Sequence, residues 1–498
     1  MKNKKVLLGA THSIIEPLGL LHLSSIAREE GYEPKIVMAN NGFGEFEKIL
    51  AEYKPAILGC TVYTGNHKQM FDYLDAVRKN HPEIKIAVGG PHPTYFPRES
   101  LEHADYVVLS EGFDAFRRIL RGEAKDGIMP LIKREDFPLS DREDFYAQNK
   151  EYDDSPIKSV IAGTGCEYSC SYCYNSSKID SLEEILSSKE IEDMSAVVGG
   201  GRRLFPRSVR PVDDIIWEIQ DIKGFSPKTE MIYFQDDVFG FDRQWIQEFA
   251  KKYKSLINMP FHAQMRFENA NPYNPICKER IDLMREAGCT GLTFAIESAN
   301  PIIRKEVLHR NMDEDLMYGV MGYLKSMDYK VRTEQMLGLP CGATTKETPI
   351  NLVADLATLA LNVNLKKETG LPTMAWASIF APYGGTKIGE YCRKHGFYHG
   401  ENNDVPETFF QRSVLRFPRH WVGPDLITGD NNNWLPEEEQ EKYRGDMQML
   451  RDLFSYFSMV PEGDKLAERF IKSKDHSYAS LSKNTRHHLY NSVLYDIK

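Results

Sequence analysis

Two separate stretches of this chain alternate short β-rich runs with helix-period segments. Such alternation points to parallel sheets, because parallel neighbours need a crossover long enough to return to the same sheet. In the first stretch "KKVLLGA", "EPKIVMA", "AILGCTVY", "KIAVGG" and "ADYVVLSEG" read as five strands. Helical patterns such as "LGLLHLSSIAREEG", "FGEFEKILAEYK" and "HKQMFDYLDAVRKNH" separate them. The expectation is a Rossmann-like, doubly wound parallel sheet, which binds ligands beyond the carboxyl ends of its strands. Those ends carry Thr11, His12, Thr61, Tyr63, Thr64, Gly65, Gly89, Gly90, Pro91, His92, Glu111 and Gly112. The plainer reading of the Gly and Pro residues among them is turn chemistry alone.

Residues from about 121 to 157 are polar, contain Pro and are weakly periodic, so they read as a linker draped over the surface. A second alternation begins at "IKSVIAG" and continues through "EMIYFQDD", "FHAQMRF", "GLTFAIES", "KVRTEQMLGL" and "TMAWASIF". Six strand–helix units are too few for a closed eight-fold barrel and suit an open, partial (β/α)6 barrel, with active residues at the carboxyl ends of its strands. From about residue 393 the chain is aromatic-rich and then mainly helical. The α/β chain is therefore expected to divide at 1–145, 146–392 and 393–498, the last part a C-terminal cap.

With 41% hydrophobic and 27% charged residues in 498, the chain is long enough for several cores, and disorder is not expected. A formal net charge of -10 argues against a broad nucleic-acid surface. The basic run "GGGRRLFPRSVR" reads as a solvated loop or a small anionic-ligand site. No run approaches about eighteen apolar residues, so no membrane span is expected and a cytoplasmic location is. In that reducing compartment eight cysteines favour metal binding or catalysis over disulfides.

Three of the eight, Cys166, Cys170 and Cys173, fall in "GTGCEYSCSYCYNSS", directly after the first strand of the second alternation. A zinc site, a structural cluster or three unrelated buried thiols are the alternatives. Zinc normally takes four ligands, and no second Cys-x-x-Cys or Cys-His pair lies nearby. A 4Fe-4S cluster ordinarily takes four cysteines, so three leave one iron open to a substrate or cofactor.

The Cys-x-x-x-Cys-x-aromatic-Cys spacing, with Tyr172 as the aromatic, resembles the signature of the radical S-adenosylmethionine (SAM) superfamily. The resemblance implies that the open iron chelates SAM and that the reduced cluster cleaves it to a 5'-deoxyadenosyl radical, with an electron donor such as flavodoxin or ferredoxin. It also suggests SAM contacts at strand ends: Asp236 and Asp237, Gln264 and Arg266, Glu297 and Ser298, Arg310, and Gly338 with Gly342. Some of these have a plainer reading. Asp236 and Asp237 could cap the next helix, Arg266 could form a surface ion pair with Glu268, and Gly338 could serve a turn.

The N-terminal stretch, through "GCTVYTGNH", "VGGPHPTYFP" and "VVLSEGF", is similar to the cobalamin-binding domain of the cobalamin-dependent radical SAM subfamily. The Asp-x-His-x-x-Gly motif that supplies cobalt with an axial histidine in related domains is absent, and His12 does not replace it by spacing. The resemblance implies a methyltransferase acting on an unactivated carbon or a phosphinate phosphorus of a natural-product, cofactor, lipid or peptide substrate. The alternative is a cyclase, rearrangement enzyme or oxidoreductase with the same cofactors. Tyr383, Trp421, Trp434 and the "NNNW" turn are candidates to close over the substrate or simply to pack the C-terminal region.

Overall fold

A computed structural model describes residues 3–11, 13–39, 43–132, 136–340, 350–400, 405–406, 408, 411–418 and 434–473. His12, Cys341, Gly342, Trp421 and the three asparagines 431–433 lie outside them. Two compact units are present: residues 1–168 with 174–232, and residues 169–173 with 233–498.

The first unit holds a parallel sheet of β1 (Lys5–Thr11), β2 (Glu33–Ala39), β3 (Ile57–Thr61), β4 (Lys85–Gly89), β5 (Tyr106–Val108) and β6 (Gly127–Met129), in the order β2-β1-β3-β4-β5-β6. Val6 to Ala10 are all buried, the near-continuous apolar run of a strand covered on both faces. The strand order reverses between β1 and β3, which opens a crevice beyond their carboxyl ends.

The sequence reading found five strands here, and the sixth comes from the supposed linker. "GIM" is too short to show a period, and only pairing with β5 makes it a strand. Nor is the rest of that segment draped over the surface. It forms the short helices Glu143–Gln148 and Lys150–Asp154, and Leu131, Phe145, Tyr146 and Tyr152 are buried.

The second alternation gives β7 (Ile157–Val160), the two-residue pair β8 (Gly163–Thr164) and β9 (Ser208–Val209), then β10 (Met231–Phe234), β11 (Phe261–Met265), β12 (Cys289–Glu297), β13 (Lys330–Leu337) and β14 (Met374–Ile379). The six expected strands form one sheet in the order β14-β13-β12-β11-β10-β7. Along β13 burial alternates strictly. Leu337, with Ala375, Ala377 and Ile379 of β14, packs against Leu359 and Val363 of helix Ile350–Thr369 and against Met447, Leu450 and Phe454 of helix Glu437–Met459. The C-terminal helix thus shares the core of the second unit.

Candidate cofactor centre

The cysteine loop begins where the backbone permits only glycine. Gly165 has φ +76°, and a Cβ there would lie 2.8 Å from the carbonyl oxygens of Phe205 and Pro206. Cys166 and Cys173 are half-buried, and Cys170 is buried. Cys173 N–H donates to Cys170 O at 3.2 Å, which tightens the turn between them. Ser171 fastens it: its N–H donates to Leu308 O (3.1 Å), its Oγ to Val307 O (2.5 Å), and its carbonyl accepts from Ile388 N (3.1 Å).

Two guanidiniums converge on the buried thiol. Arg266, at the end of β11, donates from Nη1 to Cys170 Sγ at 3.1 Å and from Nη2 to Glu268 Oε1 at 2.6 Å. The Glu268 ion pair expected as the alternative does form, but with an Arg266 that is buried rather than at the surface. Arg310 Nη1 lies 3.9 Å from the same sulfur, donates to the Tyr172 hydroxyl at 2.9 Å, and stands 4.0 Å from Glu297 Oε1. Tyr172 in turn donates to Glu297 Oε1 at 2.6 Å. Burial disfavours the Arg310 cation, but Tyr172, Glu297 and Cys170 outweigh it and raise its pKa. Burial also raises the Glu297 carboxyl, against the pull of Arg310 and the Tyr172 hydroxyl.

Glu297 has φ +66°, beside a register shift between Ala295 and Glu297 in the β12–β13 pairing. A non-glycine residue there carries roughly 1–3 kcal/mol of strain, characteristic of sites where side-chain direction matters more than backbone comfort. The bulge turns the end of β12 so that Glu297 meets Tyr172 and Arg310. Ser298, next to it, is buried, and its hydroxyl accepts from Asn300 N at 3.2 Å.

The other strand ends vary. Asp236 is buried at the end of β10, and the helix Arg243–Leu256 is capped by Asp242, which accepts from Trp245 N at 2.8 Å. The cap suggested for Asp236 and Asp237 is therefore filled by another residue. Gln264 is half-buried on β11. Gly338 has φ +69°, and a Cβ there would meet Met447 Sδ at 2.6 Å. Its N–H donates to Asp355 Oδ1 at 3.1 Å, and Tyr443 donates to Asp355 Oδ2 at 2.9 Å. Burial pushes the Asp355 carboxyl up to about 7. Sequence reading missed Asp355, since a single Asp inside a helical pattern carries no signal.

At the crevice of the first unit, Asn66 links two loops, donating to Thr11 Oγ1 at 2.9 Å and accepting from Tyr63 N at 3.3 Å. Thr64 and His92 are buried and bond each other at 3.1 Å, and His92 stacks on His67 with centroids 4.1 Å apart. Gly65 donates its N–H to His67 Nδ1 at 3.2 Å. Gly90 has φ +100°, and a Cβ there would lie 3.0 Å from Thr61 Cγ2, ahead of the short helix that Pro91 begins. Gly89 ends β4, and Glu111 and Gly112 are half-buried before helix Phe113–Arg121. Ile14 is 93% exposed and Tyr63 49% exposed, so the rim is apolar as well as polar.

The run "GGGRRLFPRSVR" is not a solvated loop or an anion site. Arg203 donates to the carbonyls of Tyr168, Asn175 and Glu167, Arg207 pairs with Glu167, and Arg210 is buried against Glu218. Its cations are committed to local structure, a matter of tertiary placement that composition does not show. Among the described residues no helix is long and apolar enough to cross a membrane.

The centre suits the groups the sequence suggests. A thiolate-ligated iron–sulfur cluster is anionic, and the buried thiol faces two buried cations. The crevice of the first unit has Ile14 and Tyr63 exposed at its rim, apolar surface that a corrin face could cover. Comparison with known families agrees: the model of the B12 binding domain matches residues 4–120, and that of the radical SAM superfamily matches residues 160–344.

The chain belongs to the cobalamin-dependent radical SAM enzymes.

Among curated relatives of this radical SAM enzyme is cytidylyl-2-hydroxyethylphosphonate methyltransferase of Streptomyces wedmorensis. It is 22% identical over 492 residues, covering 82% of this chain and 84% of the relative. An uncharacterised methyltransferase of Pyrococcus horikoshii is 23% identical, covering 76% and 78%. Among solved structures, TsrM of Kitasatospora setae, a radical SAM methyltransferase with cobalamin and a [4Fe-4S] cluster bound, has TM-score 0.60 at 13% identity, covering 95% of this chain and 99% of that one. The cobalamin-dependent SAM radical enzyme OxsB has TM-score 0.61 at 14% identity, covering 95% and 75%. These likenesses support the fold. The cofactors of the enzyme are cobalamin, a 4Fe-4S cluster and SAM.

Proposed function

We propose that this enzyme transfers a methyl group to an unactivated carbon, or a phosphinate phosphorus, of a small molecule or peptide. The observation that carries the reading is that two relatives named as methyltransferases match it over most of their length, 84% and 78%. When bound, the cofactors supply a carbon-centred radical and a transferable methyl group.

The chain's own residues hold and orient. Cys166, Cys170 and Cys173 are the cluster ligands, and Arg266 and Arg310 balance the charge beside Cys170. Tyr172, Asp236, Asp237, Gln264, Glu297, Ser298 and Gly338 are the further SAM contacts, with Glu297 aimed by its bulge and by Tyr172. Thr11, Thr61, Tyr63, Thr64, Gly65, Gly89, Gly90, Pro91, His92, Glu111 and Gly112 form or support the cobalamin crevice, and His12, outside the described residues, is proposed with them as a contact. The buried pair Thr64 and His92 acts from beneath. In this reading residues 1–145 hold cobalamin, 146–392 form the radical SAM barrel and 393–498 complete it. A cytoplasmic location and a flavodoxin or ferredoxin donor go with it.

The test is anaerobic incubation of the reconstituted protein with SAM, hydroxocobalamin, a reductant and candidate substrates, using methyl-labelled SAM. Label in a product one CH2 heavier supports the reading. 5'-Deoxyadenosine formed with a substrate that is altered but never labelled would select the cyclase, rearrangement or oxidoreductase chemistry instead.

A further inference from the structure

Glu16 ends the loop after β1, and its buried side chain joins a run of opposite charges that the chemistry above does not use. Its Oε2 accepts from the Ser159 N–H at 2.6 Å, and its Oε1 from the Tyr146 hydroxyl at 2.9 Å. Arg142 Nη1 approaches that Oε1 at 3.5 Å, while its Nη2 donates to Glu218 Oε1 at 2.5 Å. Glu218 Oε2 accepts from Arg210 at 2.5 Å. All four ionic side chains are 4% exposed or less. Burial pushes the Glu218 carboxyl up, yet Arg210 and Arg142 together hold it well below the usual carboxylate range.

Burying four ionic groups is costly even when each is paired, and apolar residues would fill the same space at lower cost. What the arrangement provides is fixed direction. The other end of the loop is fastened as well, since the Tyr152 hydroxyl donates to Ser13 O. Both anchors come from residues 142–159, just ahead of the cysteine loop. Between them Ile14 stands 93% exposed, on a loop fastened at Ser13 and at Glu16. A large apolar side chain held outward by a buried support is a surface prepared for a ligand.

We propose that Glu16 is a positioning residue for bound cobalamin: through Ser159, Tyr146 and the Arg142–Glu218–Arg210 chain it holds the β1 loop in the shape that presents Ile14 to the cofactor. The inference rests on the first unit binding cobalamin.

The experiment compares wild type with Glu16→Ala and Glu16→Gln. It measures equilibrium binding of hydroxocobalamin and the electron paramagnetic resonance spectrum of the bound cob(II)alamin, with far-ultraviolet circular dichroism and iron content as controls on the fold. Glu16→Ala should raise the cobalamin Kd more than about tenfold and broaden the cob(II)alamin spectrum, because the cofactor then meets a loop it must itself order. Glu16→Gln leaves one acceptor oxygen for the two donors Ser159 and Tyr146 and removes the charge facing Arg142, so it should raise the Kd by about threefold or more, less than Glu16→Ala. A folded Glu16→Ala protein with unchanged Kd and spectrum overturns the proposal. Should Glu16→Ala not fold, Glu16→Gln decides in its place, since unchanged binding and spectrum there overturn it equally. Failure of wild type to bind hydroxocobalamin would overturn the cofactor reading itself, a result distinct from either.

Discussion

Arg266 Nη1 donates to Cys170 Sγ at 3.1 Å across 96 positions of sequence. The pairing places a permanent cation beside the thiol proposed as a cluster ligand, and a cation there would favour the more negative, reduced form of a cluster. Replacing Arg266 by Ala should therefore lower the cluster's reduction potential. Each ~1.4 kcal/mol by which the bond is stronger in the reduced than in the oxidised cluster corresponds to about 59 mV for one electron. A potentiometric titration of the reconstituted cluster checks this, and a potential equal to wild type would show that the contact does not persist once iron is bound.

Cluster assembly should depend on three thiols only. Changing Cys166, Cys170 and Cys173 together to Ala should abolish bound iron and sulfide, whereas Cys60→Ala and Cys392→Ala should keep both. Those two thiols are buried, and burial pushes each pKa up, so neither is a ready thiolate. Iron and sulfide assays on the anaerobically reconstituted proteins decide the matter.

Gly165→Ala tests the backbone route into the cysteine loop. The new methyl would sit 2.8 Å from two carbonyl oxygens at a positive φ, and backbone atoms cannot step aside as a side-chain tip would. A loss of about 1–3 kcal/mol in urea unfolding is expected, together with poorer iron incorporation. Full stability would mean that the 205–207 segment can withdraw.

Asp355 should give stability a pH dependence of unusual sign. Its folded pKa, about 7, is raised above the ordinary 3.8 by burial. Between those values the folded protein binds more protons than the unfolded chain, so stability is full below about 4 and declines as pH rises towards 7. Asp355→Asn keeps an acceptor for Gly338 and Tyr443 and removes the titration. The decline should flatten, and the variant should gain on the order of 1–3 kcal/mol relative to wild type at pH 8. Chemical unfolding at pH 5 and pH 8 measures it. The same gain at both pH values would remove Asp355 as the cause.

Periodicity and local spacing determined a good deal by themselves. The apolar runs of β1, β3 and β4 require a sheet covered on both faces, and six strand–helix units in succession lead to an open parallel sheet of six. Three cysteines within eight residues, with Tyr172 between the last two, resemble the radical SAM signature before any fold is known. β6 escaped because three residues cannot express a period, and its strand character comes from β5 beside it. The basic run at 199–210 misled for a related reason: charge is visible in sequence, but the carbonyls and carboxylates that absorb it are not. Tertiary structure alone decided that Arg266 and Arg310 turn towards Cys170, that a bulge aims Glu297 at Tyr172, and that Glu16 meets Arg142 across 126 positions. A guanidinium or carboxylate is one residue type in any sequence. Whether it is a solvated charge or a buried, oriented one depends on which strand ends the sheet brings together, and those partners lie far apart along the chain.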